Sequence, residues 1–192
     1  MTNLPSHLRI VVASMAICVA GYAGLILGIG QLVTPETANA SLIQSPDGRI
    51  VGSRLIGQPF TQPRYFWPRL SAVDYNAAAA GGSNLAPTNP ALAERARPVL
   101  HALEATADHP APADLVTASG SGLDPNISLE AALYQLPRVA ASRTMETTEI
   151  ENIVERLAFS PGGVLTDGRI VNVLELNLAL DRLDSSSGDS ES

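Results

Sequence analysis

Ile10–Val33 reads IVVASMAICVAGYAGLILGIGQLV, twenty-four residues without a charged side chain. As an α-helix rising about 1.5 Å per residue, it would extend roughly 36 Å, more than the roughly 30 Å hydrocarbon core of a bilayer. A modest tilt absorbs the difference. A buried core helix would not need so long an uncharged run. A cleaved signal peptide is the competing reading, because ANA at Ala38–Ala40 resembles an A-x-A cleavage site. Signal-peptide apolar regions run about 7–15 residues, so the length points to a retained transmembrane helix over residues 10–33. Cys18, the single cysteine, lies in the middle of the run and not at the end of a short one, which argues against lipoprotein processing.

The flanks suggest an orientation. Residues 1–9 carry His7, Arg9 and the terminal amine, whereas the other flank begins with Glu36 and reaches its first Arg at Arg49. The positive-inside rule then places the N-terminus in the cytoplasm and residues 34–184 outside. With Cys18 inside the span, the outer domain has no disulfide and must rest on its core or on a partner. All twelve basic residues are Arg, and nineteen acidic residues set the formal charge at −7. Phosphate neutralisation supplies most nucleic-acid affinity, so this balance excludes a nucleic-acid binder.

Beyond the span the pattern predicts one α+β domain of mixed helix and strand. SPDGR at Ser45–Arg49 is a turn signal between two apolar stretches, which reads as a β-hairpin with Ile50, Val51, Leu55 and Ile56 as core candidates. QPFTQPRYFWPRLSAVDY follows, and its prolines make it extended and irregular. Phe60, Tyr65, Phe66, Trp67 and Tyr75 fall there, interleaved with Arg64 and Arg69. The plain reading is core plus stacking of Arg on rings. The sharper one is a docking surface centred on Tyr65, Phe66 and Trp67, since aromatics and Arg are enriched at interface centres.

Asn89 caps a helix expected over about 90–107 and interrupted by Pro98, DHPAPAD is a linker, and DLVTAS reads as a short buried strand. Ser128 caps a helix to about Ser142, with Leu129, Ala132, Leu133, Leu136 and Val139 as its apolar stripe. TTEIENIVERLAF is a further amphipathic helix through Ile150, Ile153, Val154 and Leu157. The run from Arg169 fits a short strand to Val171 followed by a helix capped by Asn172, although its alternating leucines also fit a strand. The acidic, Ser-rich residues 185–192 are expected to be a disordered tail.

Candidate chemistry concentrates in TASGSGLDPNIS, Thr117–Ser128. A nucleophile elbow needs Gly-x-Ser-x-Gly, and neither this stretch nor GGSNL at Gly81–Leu85 has it. A P-loop needs Lys, and the chain has none. An EF-hand loop starting at Asp124 would need Gly and Glu where Leu129 and Gln135 stand. No His/Cys cluster or carboxylate pair suggests a metal or an acid–base centre. The catalytic and metal sets are therefore empty. Backbone N–H groups of Gly120, Ser121 and Gly122, with Gly82 and Ser83, are weak anion or nucleotide candidates. The structural reading is a glycine-relaxed connection into the helix capped by Ser128.

Six stretches in order carry a resemblance: GSRLIGQPF (Gly52–Phe60), YFWPRLSA (Tyr65–Ala72), YNAAAAGGSNLAPTNP (Tyr75–Pro90), DLVTASGSGLDPNIS (Asp114–Ser128), QLPRVAASR (Gln135–Arg143) and VNVLELNLALD (Val171–Asp181). Behind an N-terminal span, they resemble the C-subunit family of bacterial and archaeal Kdp potassium-transporting ATPases. Leu70 stands where that family usually has Pro, and Ala80 where Ser is common. The resemblance implies a non-catalytic, single-pass subunit of the cell (inner) membrane, needed for assembly and activity. Its implied partners are a channel-like A subunit, a P-type ATPase B subunit and a small F subunit, with ATP and potassium acting in the complex and no cofactor bound by this chain. It also implies a catalytic chaperone that raises the ATP affinity of the B subunit. With the N-terminus inside, that effect would be indirect. Direct nucleotide contact at the glycine loops is the second reading. A membrane-anchored outer enzyme or small-molecule binder is the third, and a soluble form cleaved at Ala40 the fourth. The expected contacts are the lipid bilayer and, for partner subunits, the small residues Ala20, Gly21, Gly24 and Gly28 of the span, together with Tyr65–Trp67.

Overall fold

A computed structural model describes residues 4–45 and 47–188, with backbone only for Val164 and residues 185–188. The chain divides into two compact units, Met1–Val51 and Gly52–Ser192.

The first unit is dominated by one continuous helix, Leu4–Val33, none of whose apolar core window is buried. It runs as α1 (Leu4–Met15), widens to π geometry over Ala16–Gly21, and continues as α2 (Tyr22–Val33). Its apolar side chains face outward from end to end, the inverse of a soluble core helix and what a lipid solvent requires. The backbone breaks at Thr34 (φ −138°) and one turn of helix follows, α3 (Pro35–Ala38). β1 (Leu42–Gln44) then pairs with β2 (Ile50–Ser53) across the predicted turn, where Ser45 N–H donates to the Arg49 carbonyl at 2.9 Å and Gly48 takes φ +80°. The hairpin core assigned from sequence is not one. Ile50 and Leu55 are exposed, and Val51 and Ile56 are only half-buried. At Ser53 the ladder ends in a turn, with Leu55 N–H on Ser53 Oγ, so Leu55 never enters a strand.

The second unit begins with a long irregular segment, residues 54–89, which touches ladder geometry only at a parallel bridge between Leu70 and Ala118. α4 (Pro90–Ala102) is capped as expected, with Asn89 Oδ1 accepting from Ala91 N–H at 3.0 Å. Pro98 is accommodated inside it. The helix stops short of 107 because Glu104 turns left-handed, φ +53°. DLVTAS is not a strand. Ala113–Val116 forms one turn of helix, α5, with Leu115 buried and the Asp114 carboxylate accepting from Ser128 N–H at 2.8 Å.

β3 (Asn126–Ser128) and β4 (Ile170–Asn172) form an antiparallel ribbon in the register Asn126↔Asn172, Ile127↔Val171, Ser128↔Ile170. Each strand feeds directly into a helix capped by its own last residue. Ser128 Oγ accepts from Ala131 N–H to start α6 (Leu129–Arg143), and Asn172 Oδ1 accepts from Glu175 N–H to start α8 (Val173–Gly188). α6 ends at Thr144, left-handed at φ +56°, and α7 (Thr147–Leu157) packs against it through Ile150, Ile153 and Val154. The core is the space between ribbon and helices: Ile127 and Val171 from the strands, Leu136 and Val139 from α6, Leu176 and Leu180 from α8, and Phe66 inserted from the irregular segment. Helix is the observed state of Val173–Asp181, in agreement with the strand-then-helix reading. α8 also runs on through Gly188, past Ser185 where a disordered tail was expected to begin; Asp189–Ser192 lie outside the described residues.

Candidate partner-binding site

After a turn closed by Tyr65 N–H on the Gln62 carbonyl at 3.1 Å, Phe66–Pro68 crosses the second unit with no neighbouring strand, yet the peptide groups of Phe66 and Trp67 are paired. Phe66 N–H donates to Asn177 Oδ1 at 2.8 Å, and the Phe66 carbonyl accepts from Asn177 Nδ2 at 3.0 Å. Gln135 does the same one residue on: Trp67 N–H donates to Oε1 at 2.8 Å and the Trp67 carbonyl accepts from Nε2 at 3.2 Å. Both amides are 1% exposed. Two carboxamides, one from α6 and one from α8, thus replace the ladder that this segment lacks. Buried peptide groups need partners, and each amide supplies one donor and one acceptor.

Three arginines extend the clamp. Arg138 donates to the Pro63 carbonyl (2.6 Å), the Tyr65 carbonyl (3.1 Å) and Gln135 Oε1 (2.6 Å), and its guanidinium lies 3.9 Å over the Trp67 ring. Burial pushes Arg138 down to about 10, so it remains charged at neutral pH. Arg143, whose side chain is fully buried, donates to the Arg64 carbonyl at 2.8 Å and pairs with Asp184 (2.6 Å) and Asp181 (2.8 Å) on α8. Arg64 joins the same two carboxylates. Tyr65 donates to Asp181 Oδ2 at 3.2 Å; burial, then Asp181, holds its phenol above the usual tyrosine range, against Arg64 and Arg143.

This geometry separates the expected docking residues. Phe66 is core, 0% exposed, and offers no surface. Tyr65 and Trp67, half-buried, point their chemistry at Asp181 and Arg138. Gln135, Asn177, Arg138 and Arg143 carry the arrangement and were not singled out from sequence as site residues. The available signal was position: Gln135 and Asn177 fall within the apolar stripes of their helices, where a solvated amide has no place.

The two glycine loops meet each other. Gly81 N–H donates to the Ser121 carbonyl at 2.7 Å, and a Cβ on Gly82 would lie 2.9 Å from the Gly120 oxygen. Gly122, at φ +69°, has Val73 and the Gly81 carbonyl where a Cβ would go, 2.6 and 2.7 Å away, and its own carbonyl accepts from Ser71 Oγ at 2.7 Å. Ser121 Oγ accepts from Leu123 N–H, and Ser83 is half-buried beside Gly82. Asp124, where an EF-hand loop would start, accepts from Asn126 N–H and pairs with Arg69 at 3.2 Å. Gly81 and Gly122 therefore spend their N–H groups on the Ser121 and Ser119 carbonyls, not on an open cradle. Among the described residues, no group of three or more His, Cys, Asp or Glu side chains converges to hold a metal. His109 stacks on Tyr134, ring centroids 4.5 Å apart.

On the span, Ala20 and Gly21 close the π segment, and Cβ atoms built on Gly24 or Gly28 meet nothing of their own chain within 4 Å. An outward-facing apolar helix of 30 residues followed by a small α/β domain is the construction of a single-span membrane protein. Comparison with known proteins narrows this class. The family model described as "KdpC: K+-transporting ATPase, c chain" matches residues 4–182. A "Potassium-transporting ATPase KdpC subunit" of Parvibaculum lavamentivorans is 50% identical over 96% of this chain and 99% of its own length. Proteins of the same name from Paraburkholderia phymatum and Burkholderia vietnamiensis are 51% and 53% identical, each over 83% of this chain and 86% of their own. The chain belongs to the KdpC family, the c chains of K+-transporting ATPases.

Proposed function

We propose that this chain is the non-catalytic, single-pass subunit of an ATP-driven potassium-uptake complex, and that it holds the channel-like A subunit and the P-type B subunit in one assembly with the small F subunit. The observation that carries this is the span. It is apolar and outward-facing throughout, and Gly24 and Gly28 are left open by their own chain, so a neighbouring helix can approach closely there. The charge bias at its ends favours a cytoplasmic N-terminus and an extracytoplasmic domain. In that orientation the chain raises the B subunit's affinity for ATP as a catalytic chaperone acting through the assembly, a coupling between separate sites.

Extraction in mild detergent followed by identification of co-purifying proteins tests the reading. The two large pump subunits are expected with this chain, and its recovery without them refutes it. A reporter active only outside the membrane, fused to the C-terminus, tests orientation. An inactive reporter on a stably produced fusion, which places the C-terminus in the cytoplasm, would overturn the indirect mechanism and favour direct nucleotide contact at Gly82–Ser83 and Gly120–Gly122.

A further inference from the structure

The chain leaving the span does not run on into solvent; it folds back. Gln31 in the last turn of α2 and Asn39 beyond α3 exchange amide hydrogen bonds, both 3.2 Å. Asn39 Nδ2 also donates to the Pro35 carbonyl at 2.8 Å, and Ser41 N–H to the Glu36 carbonyl at 2.8 Å. Ala40 (φ +66°) and Ser41 (φ +46°) are consecutive left-handed residues without being glycine, a costly reversal that persists only where its surroundings over-determine it. The return brings Ala38 into van der Waals range of Gly30, its Cβ 3.6 Å from where a Cβ on Gly30 would be. β1 and the first two residues of β2, Ile50 and Val51, lie in the same compact unit as the span.

That hairpin is apolar where water would be expected. Leu42 is 50% exposed and Ile50 56%, while Leu32 and Val33 stand exposed at the end of the helix. Two short strands on their own are marginal in water and need an apolar surface to lie against. Leu42 follows Val33 by so few residues that even a fully extended chain could carry it only about 30 Å away, and the helical turn and the reversal shorten that reach. We propose that residues 31–51 form a foot seated in the headgroup–acyl boundary of the bilayer, with Leu42 and Ile50 dipping into lipid beside the exit of the span. The occupant is phospholipid because the apolar surface continues that of the lipid-facing helix. Between Ile10 and Val51 the only formal charges are Glu36, Asp47 and Arg49, so the foot has no basic cluster to select anionic lipid. Its seating is therefore insensitive to lipid charge and to salt.

The test uses the full chain, alone, in phosphatidylcholine vesicles. In a Cys18→Ser background, single cysteines at Leu42, Ile50 and, as an aqueous control, the exposed Thr88 carry an environment-sensitive fluorophore. Carbonate extraction restricts the readings to inserted protein. Probes at 42 and 50 are expected to be blue-shifted and quenched by lipids bearing a nitroxide high on the acyl chain, unchanged by added anionic lipid or salt. The probe at 88 should show neither effect. Adding Leu42→Gln should return the probe at 50 toward the aqueous spectrum. Probes at 42 and 50 that match position 88 overturn the proposal. So does protection that arises only when the other pump subunits are added, which would assign the hairpin to a protein partner.

Discussion

Asn177 and Gln135 do for Phe66 and Trp67 what a neighbouring strand does in a sheet. The consequence is a sharp dependence on two uncharged side chains. Asn177→Leu keeps the size and removes both partners of the Phe66 peptide, leaving a buried N–H and a buried C=O unpaired. At about 1–3 kcal/mol per orphaned group, the expected loss is about 2–5 kcal/mol, read as a fall in the urea midpoint of the full chain in detergent. Trp67 is the single tryptophan and sits in the clamped segment, so its fluorescence follows that transition. A midpoint within experimental error of the wild type would mean that the clamp is dispensable. Tyr75 illustrates a charge-dependent residue. Burial first, then Asp74, pushes its phenol up to about 12, and its hydroxyl donates to the Arg69 carbonyl at 2.7 Å. The folded state therefore keeps a proton that the unfolded chain, titrating near 10, gives up. Between those values the folded state binds more protons, and stability falls as pH rises through the window. Tyr75→Phe should flatten that alkaline loss while costing about 1 kcal/mol at neutral pH for the missing hydrogen bond. An unchanged slope in pH-dependent unfolding would refute the assignment.

At the level of elements, the connection Thr117–Ser128 behaves as a packing joint in which its glycines are unequal. Gly122→Ala would force a Cβ into Val73 and the Gly81 carbonyl at a positive φ, and should cost about 2 kcal/mol or more. Gly120→Ala, with nothing within 4 Å, should leave thermal unfolding nearly unchanged. Equal effects from the two would show that the joint is not what holds the Gly81 loop. The same stretch marks how far sequence reading carries. Helices were legible where a cap is written locally: Asn89, Ser128 and Asn172 each start a helix with their own side chain. α5 was not, because Ala113–Val116 is too short to show a period and its Asp114 is committed to Ser128, a contact made by the fold. The hairpin residues are not core because apolar composition says a residue seeks cover without saying that its own chain supplies it, as Ile50 shows. The clamp was illegible for the same reason in reverse. Gln135 and Asn177 lie on apolar stripes, which says they need partners, but the segment they bind is far away in sequence and nothing local names it.

For the whole molecule, the division into a span-bearing unit and a packed domain sets where substitutions should act. In the domain, changes should register as stability, because the Phe66–Trp67 segment and the glycine loops are held by hydrogen bonds within the chain. On the span they should register as assembly. Gly24→Ile and Gly28→Ile replace hydrogen with a branched side chain at positions where a Cβ meets nothing of this chain, so the isolated subunit should insert and its domain should melt as in the wild type. Ile is also welcome in lipid, which removes solvation as a cause of any defect. If a partner helix approaches along these glycines, however, the added volume pushes the backbones apart and forfeits the close packing that substitutes for hydrophobic drive inside a membrane. The double variant should then lose a large part of the co-purifying pump subunits, and potassium-limited growth with them, while vesicle insertion and the Trp67 unfolding midpoint stay unchanged. Retention of the partners at wild-type levels would show that the glycine face is turned to lipid, and would move the assembly contacts of this subunit away from Gly24 and Gly28.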